Sequence, residues 1–165
     1  MASGIPITND IQLMAIFSAE MTAIVDELTD WLLNQVRMSI DTNVYSKYSQ
    51  SPNYDRLGME GGFIGAWEKE VATFAGKYIN SKVDMNPLAM VLNAEKHQHG
   101  NLAGEDRREN MAEIIESGTE WDIGGAARIP RDFWSPIEQM VTDGSLDVVL
   151  ENLFGKHGIR FTKTF

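Results

Sequence analysis

Apolar residues at Met14, Phe17, Met21, Ile24, Val25, Leu28, Leu32 and Val36 recur at spacings of three and four, so they share one stripe of a helix turning every ~3.6 residues. No Gly or Pro interrupts the stretch, Asn9 and Asp10 offer N-caps ahead of it, and Glu20, Asp26, Glu27 and Asp30 fall among its polar positions. The pattern predicts one long amphipathic helix from about Ile11 to about Ser39. Such a stripe must be covered, and the rest of the chain has to supply the cover.

From Phe63 to Met85 the residues suit strands: Val71, Thr73, Phe74, Tyr78, Ile79 and Val83 favour the β conformation, and Gly76 marks a turn. A hairpin is the economical assignment. Ahead of it, Tyr45 to Arg56 is rich in tyrosine and turn formers, which predicts an ordered surface loop leading to Gly58, Gly61 and Gly62. Beyond it, Asn86 before Pro87 resembles a cap and first-turn proline for a short helix through Leu88, Val91 and Leu92, followed by a polar loop from Glu95 to Gly104.

The remainder reads as short helices. Asp106 and Glu109 have capping-box spacing before an apolar stripe of Met111, Ile114 and Ile115 that Gly118 can terminate. Ser135-Pro136-Ile137-Glu138 is a second box, opening a helix to about Val141. Gly144 breaks it, Ser145 can cap another helix carrying Leu146, Val149, Leu150, Leu153 and Phe154, and Gly155 is placed to end that one. Ile159 to Phe165 alternates as a final strand would. The expected fold class is α+β: a long N-terminal amphipathic helix packed on a small antiparallel sheet, with shorter C-terminal helices. Residues 1–165 make a single domain, with 1–10 as a flexible N-terminal arm.

Composition narrows the chemistry. At 165 residues the chain can bury a sizeable core, and its 43% apolar and 23% charged residues are ordinary for a globular protein. The absence of cysteine excludes disulfides, thiolate metal sites and a Cys nucleophile. No Lys or Arg precedes Arg37 and no apolar run is long enough for a bilayer, so neither a secretory signal nor a membrane is expected. A net charge of −10 works against gripping nucleic acid, whose affinity comes from cations displacing counterions; it permits a wall past which DNA slides, though on charge alone solubility is the simpler reading.

Phosphate-binding loops, dinucleotide fingerprints, nucleophile elbows and zincin motifs are absent. His97 and His99, at i and i+2, could share a metal with Glu95, Asp106, Glu109 or His157, but two ligands without a fixed third make a weak metal signal. Glu109, Glu113 and Glu116 fall on one helical face, which is more simply a solvated acidic face than an acid–base site. Phe133-Trp134, between Arg128, Arg131 and a helix start, is either an interface anchor or a core plug, and residue type does not choose between them.

Several segments, in order, resemble the neck or tail-completion proteins of the head–tail module of long-tailed bacteriophages. After the long helix come Tyr45-Ser-Lys-Tyr48-Ser-Gln-Ser-Pro52-Asn-Tyr54-Asp-Arg56, then Asp84-Met85-Asn-Pro87, His99-Gly100-Asn101, Asp106 to Gly118, and Ala127-Arg128-Ile-Pro130-Arg131-Asp-Phe133-Trp134. Near Arg128 the chain departs from the family's compact alanine–arginine–proline–phenylalanine signature by extra residues before Phe133. The resemblance implies a virion structural protein without enzymatic activity or cofactor, made in the bacterial host cytoplasm. It implies copies joined in a ring between the head connector and the tail tube, contacting both while DNA passes through without specific binding. On it rest the expected partner-binding residues Tyr45, Tyr48, Tyr54, Arg56, Arg128, Arg131, Phe133 and Trp134, and Glu109, Glu113 and Glu116 as channel-facing candidates. A tail terminator or head–tail stopper is the neighbouring alternative; a small metal-dependent hydrolase using His97 and His99 is the alternative of another class.

Overall fold

The long helix forms almost as its periodicity dictates. A computed structural model describes residues 9–47, 61–90, 108–118 and 130–159, apart from the side chains of residues 14–16. In it α1 spans Asp10–Ile40, about 46 Å of helix at ~1.5 Å per residue. Asn9 caps it, its Oδ1 accepting the Gln12 N–H at 2.9 Å, which satisfies one of the four unpaired amides of the first turn. The carboxyl end widens into a π-helical turn, Asp41–Tyr45, closed by a Ser46 N–H to Asp41 carbonyl bond of 2.7 Å. That extra turn carries Val44 into the core and sets the Tyr45 hydroxyl to accept the Phe63 N–H at 3.2 Å.

The hairpin is β1 (Trp67–Ala75) and β2 (Tyr78–Met85), antiparallel around Gly76. Its register contains a defect that strand propensity does not announce. Pairing runs Trp67 with Met85 through Glu70 with Lys82, then resumes as Thr73 with Asn80, so Val71 and Ala72 together oppose Ser81. This is a β-bulge, and it releases the Ala72 N–H from the ladder. Asp26 of α1 takes up that amide through Oδ1 at 3.0 Å.

α1 packs on both strands. The core lies at its carboxyl-terminal half, where Leu33, Val36 and Ile40 meet Phe63, Ile64, Trp67, Met90, Ile115, Phe133 and Ile137. Two short helices seal this cluster, α2 (Met111–Ser117) and α3 (Ser135–Thr142), while α4 (Ser145–Lys156) packs on α1 and α3 outside it. Asn86 Oδ1 accepts the Leu88 N–H and Pro87 opens a 3-10 turn, Pro87–Ala89, as the cap-and-proline reading expects; Val91 and Leu92 lie outside the described residues. So do Asp106, the Glu95–Gly104 loop and the expected strand beyond Ile159. The α+β architecture of a long N-terminal helix on a two-stranded antiparallel sheet with shorter C-terminal helices is as expected.

Two helix boundaries differ from the sequence reading. Ser135 does not act as the cap of α3; Asp132 Oδ1 accepts the Ser135 N–H at 2.8 Å, and proline sits in the first turn as expected. α4 runs through Gly155 to Lys156, and the left-handed residue that ends it is Gly158, with φ +72°. The Gly158 N–H meets the Gly155 carbonyl and the Ile159 N–H meets the Phe154 carbonyl, a Schellman closure. A methyl group at either glycine meets nothing within 4 Å, so only backbone preference decides the outcome of substitution. Gly155→Ala is expected to stabilise the chain by about 0.5–1 kcal/mol, and Gly158→Ala to destabilise it by about 1–2 kcal/mol. Denaturant melts of the two variants check the opposite signs.

Candidate partner-binding surfaces

The segment before α3 is held at three backbone points. The Arg131 N–H donates to the Ile115 carbonyl at 3.0 Å, the Phe133 N–H donates to Glu116 Oε2 at 3.2 Å, and Ser39 Oγ donates to the Phe133 carbonyl at 2.6 Å. Helices α1 and α2 thereby clamp Phe133 from both sides. Its ring is 2% exposed and sits edge-on to Phe63 (5.5 Å) and Trp67 (6.0 Å). The expectation of Phe133 and Trp134 as a paired anchor is therefore corrected: Phe133 is a core plug, its contact surface spent inside its own chain. Trp134 lies over the cluster, stacked on Trp67 at 5.7 Å and 27°, with 37% of its surface open.

Glu109 and Glu113 are exposed, but Glu116 turns inward to hold the Phe133 amide, so the three do not share one solvated face. Burial pushes the Glu116 carboxyl above its ordinary range against the pull of that amide, and a hydrogen bond to Asp132 pushes it further. The Asp132 carboxyl is held below its usual value, chiefly by the Ser135 N–H and hydroxyl. Tyr45 and Arg131 are half-buried, both tied into the fold by the bonds already described. Tyr48, Tyr54, Arg56 and Arg128 lie outside the described residues, as do His97 and His99. Among the described residues no group of three His, Asp or Glu is placed to hold a metal ion, and no helix is long and apolar enough to cross a membrane.

Charge fastens the long helix to its cover. Lys69 Nζ lies 2.8 Å from Asp26 Oδ2 and 2.7 Å from Asp30 Oδ2, bridging α1 to β1 beside the bulge. Lys69 and the Ala72 amide hold the Asp26 carboxyl below its usual range, and the two aspartates raise the Lys69 ammonium. Glu27, next to Asp26 on α1, receives Lys156 Nζ at 2.7 Å and His157 Nε2 at 3.2 Å, which ties down the end of α4.

These fastenings also show which end of the molecule is uncovered. Arg37 Nη2 donates to the Trp67 carbonyl at 2.8 Å, while five residues further along β1 the Ala72 amide reaches back to Asp26. β1 thus runs antiparallel to α1, and the Gly76 turn lies toward the amino end of the helix. From the bulge onward the hairpin stands largely free: Val71 and Tyr78 are 68% and 69% exposed, and Phe74 is 41% exposed. At the same end Ile11, Leu13 and Phe17 of α1 are also exposed. Sequence reasoning assigned Phe17 to the buried stripe and the hairpin residues to a covered sheet. The missing signal was length, since α1 outruns the elements that cover it. No protein-family model, curated protein or solved structure matches the chain.

Proposed function

We propose that the chain is a virion structural subunit of a tailed phage, at the neck or tail-completion station, joining a ring between head connector and tail tube and working by docking rather than catalysis. The observation that carries this reading is the division of the molecule into a fastened half and a bare end. One half is locked by the Phe133 clamp and the Lys69 bridge; at the other, hairpin and helix present apolar side chains to solvent. A subunit that only docks needs a rigid body and a contact end of this kind, because preordered side chains lose little entropy on binding. The order of segments that resembles the neck proteins supports the same reading, and the net charge of −10 suits a channel through which DNA must pass without sticking.

In a phage encoding this chain, a nonsense mutation in its gene is expected to leave DNA-filled heads beside unattached tails. The parent gene supplied in trans should restore particles. Val71→Asp with Tyr78→Asp should not restore them, although the purified variant melts normally, since both side chains are exposed. Normal tail attachment in the mutant overturns the proposal. Stoichiometric zinc or manganese retained through gel filtration, lost on replacing His97 and His99 by alanine, favours the hydrolase instead.

A further inference from the structure

A two-stranded sheet has two faces, and α1 covers one of them. The buried side chain of Ala72 and its amide bond to Asp26 mark the face against α1. Beyond the bulge, alternation from Ala72 puts Ala75 on the opposite face, and the pairing of Ala75 with Tyr78 brings Tyr78 there too. The outer face of the hairpin tip therefore carries Tyr78, 69% exposed, paired with Ala75 and with Lys77 beside it in the turn.

The first turns of α1 carry a matching stripe. Asp10, Leu13, Phe17 and Glu20 are spaced by three, four and three, so they line one face, two apolar residues with an acid at each end. Leu13 and Phe17 are 41% and 39% exposed. The helix bears five acids before its first base, Arg37: Asp10, Glu20, Asp26, Glu27 and Asp30. Lys69 meets Asp26 and Asp30, and Lys156 with His157 meets Glu27. Asp10 and Glu20 have no ion-pair partner among the described residues, and neither has Lys77.

From these complementary surfaces we infer that the outer face of the hairpin tip, Ala75 and Tyr78 with Lys77, docks onto the Asp10–Leu13–Phe17–Glu20 stripe of a second copy of this chain. The contact repeats the chain's own construction, a hairpin packed on α1 with a lysine of the hairpin set against acids of the helix. Its geometry is heterologous: α1 lies on one side of the hairpin and the neighbour's α1 on the other, so each copy offers a used and an unused surface. Both surfaces lie at the same end of α1, and equal height along the assembly axis closes a ring where unequal height would wind a filament. Closure into a ring rests on the virion reading above; the pairwise contact does not.

The absence of native cysteine makes the test direct. Full-length Phe17→Cys with Tyr78→Cys, treated with a short bismaleimide at increasing concentration, is expected to give a ladder of dimers, trimers and higher species. Mixed single variants should give only the 17-to-78 dimer. In sedimentation of the otherwise unmodified chain, Lys77→Glu should weaken self-association by about tenfold or more, and adding Glu20→Lys to it should recover most of the loss. A ladder that stops at dimers overturns the inference in favour of a two-fold contact, and no inter-chain product overturns it outright. Self-assembly of a chain that phage particles do not incorporate removes the virion reading alone; incorporation without the ladder removes the inference alone.

Discussion

Phe133→Ala is expected to lower stability by about 3–5 kcal/mol, the scale for emptying a buried aromatic site, whereas Trp134→Ala costs about 1–2 kcal/mol through a lost stacking partner and partial burial. The contrast follows from the clamp. Phe133 has both backbone polar groups bonded to side chains of other elements, Ser39 on α1 and Glu116 on α2, so the backbone cannot shift inward to refill the space. Its ring touches Phe63, Trp67 and Trp134, and all three lose a neighbour together. In thermal melts the first variant should fall by roughly 10 °C or more and the second by a few degrees. Equal losses would mean that Trp134 is as deep a part of the core as Phe133.

Sequence alone could not make this distinction, because Phe133 and Trp134 are adjacent aromatics flanked by the same turn formers. What separates them is Ser39, ninety-four residues earlier in the chain. The long helix was legible for the opposite reason: its evidence is local and repeated, eight apolar positions agreeing on one period. The hairpin was legible from β-favouring residues on both sides of Gly76. Its bulge was not, since Val71-Ala72 looks like any pair of strand residues and the group that stabilises the displaced amide is Asp26 of another element.

The same division applies to the candidate surfaces. Sequence periodicity marks which residues share a face, yet says nothing of where the covering element ends, so Phe17 reads like the buried positions that follow it. The stripe of Glu109, Glu113 and Glu116 failed in the reverse sense. Its spacing was sound, but α2 lies beside the segment before α3, and the Phe133 amide draws the last carboxylate inward. The error at Gly155 has a local cause. Glycine near a helix end signals termination only when the chain there needs a left-handed residue, and that need falls at Gly158.

Asp26→Ala is expected to destabilise the chain by about 2–3 kcal/mol at neutral pH, a large effect for a partly exposed side chain. Two losses combine: the hydrogen bond that the bulge amide donates to a charged acceptor, and one of the two carboxylates that accept from Lys69. The Ala72 amide has left the strand ladder and lies beside a buried side chain, so without Asp26 it has no other acceptor among its ladder partners. Asp26→Asn keeps a carbonyl for that amide and removes the charge, so about half of the loss should remain. The pH dependence has a definite sign. Lys69, and then the Ala72 amide, hold the folded carboxyl below its ordinary value of 3.8. The group therefore binds its proton more weakly folded than unfolded, and its stabilisation is complete above 3.8 and lost as pH falls through the depressed folded value. Glu116 acts in the opposite sense, because burial raises its folded carboxyl, so acid relieves a cost there. Subtracting the Asp26→Asn stability curve from that of the parent cancels Glu116 and the other shared carboxyls. The difference should be level from neutral pH down to about 5 and shrink below 3.8 toward zero. A difference that stays constant into strong acid would show that the Asp26 contribution is packing or bulge geometry with no share from its charge.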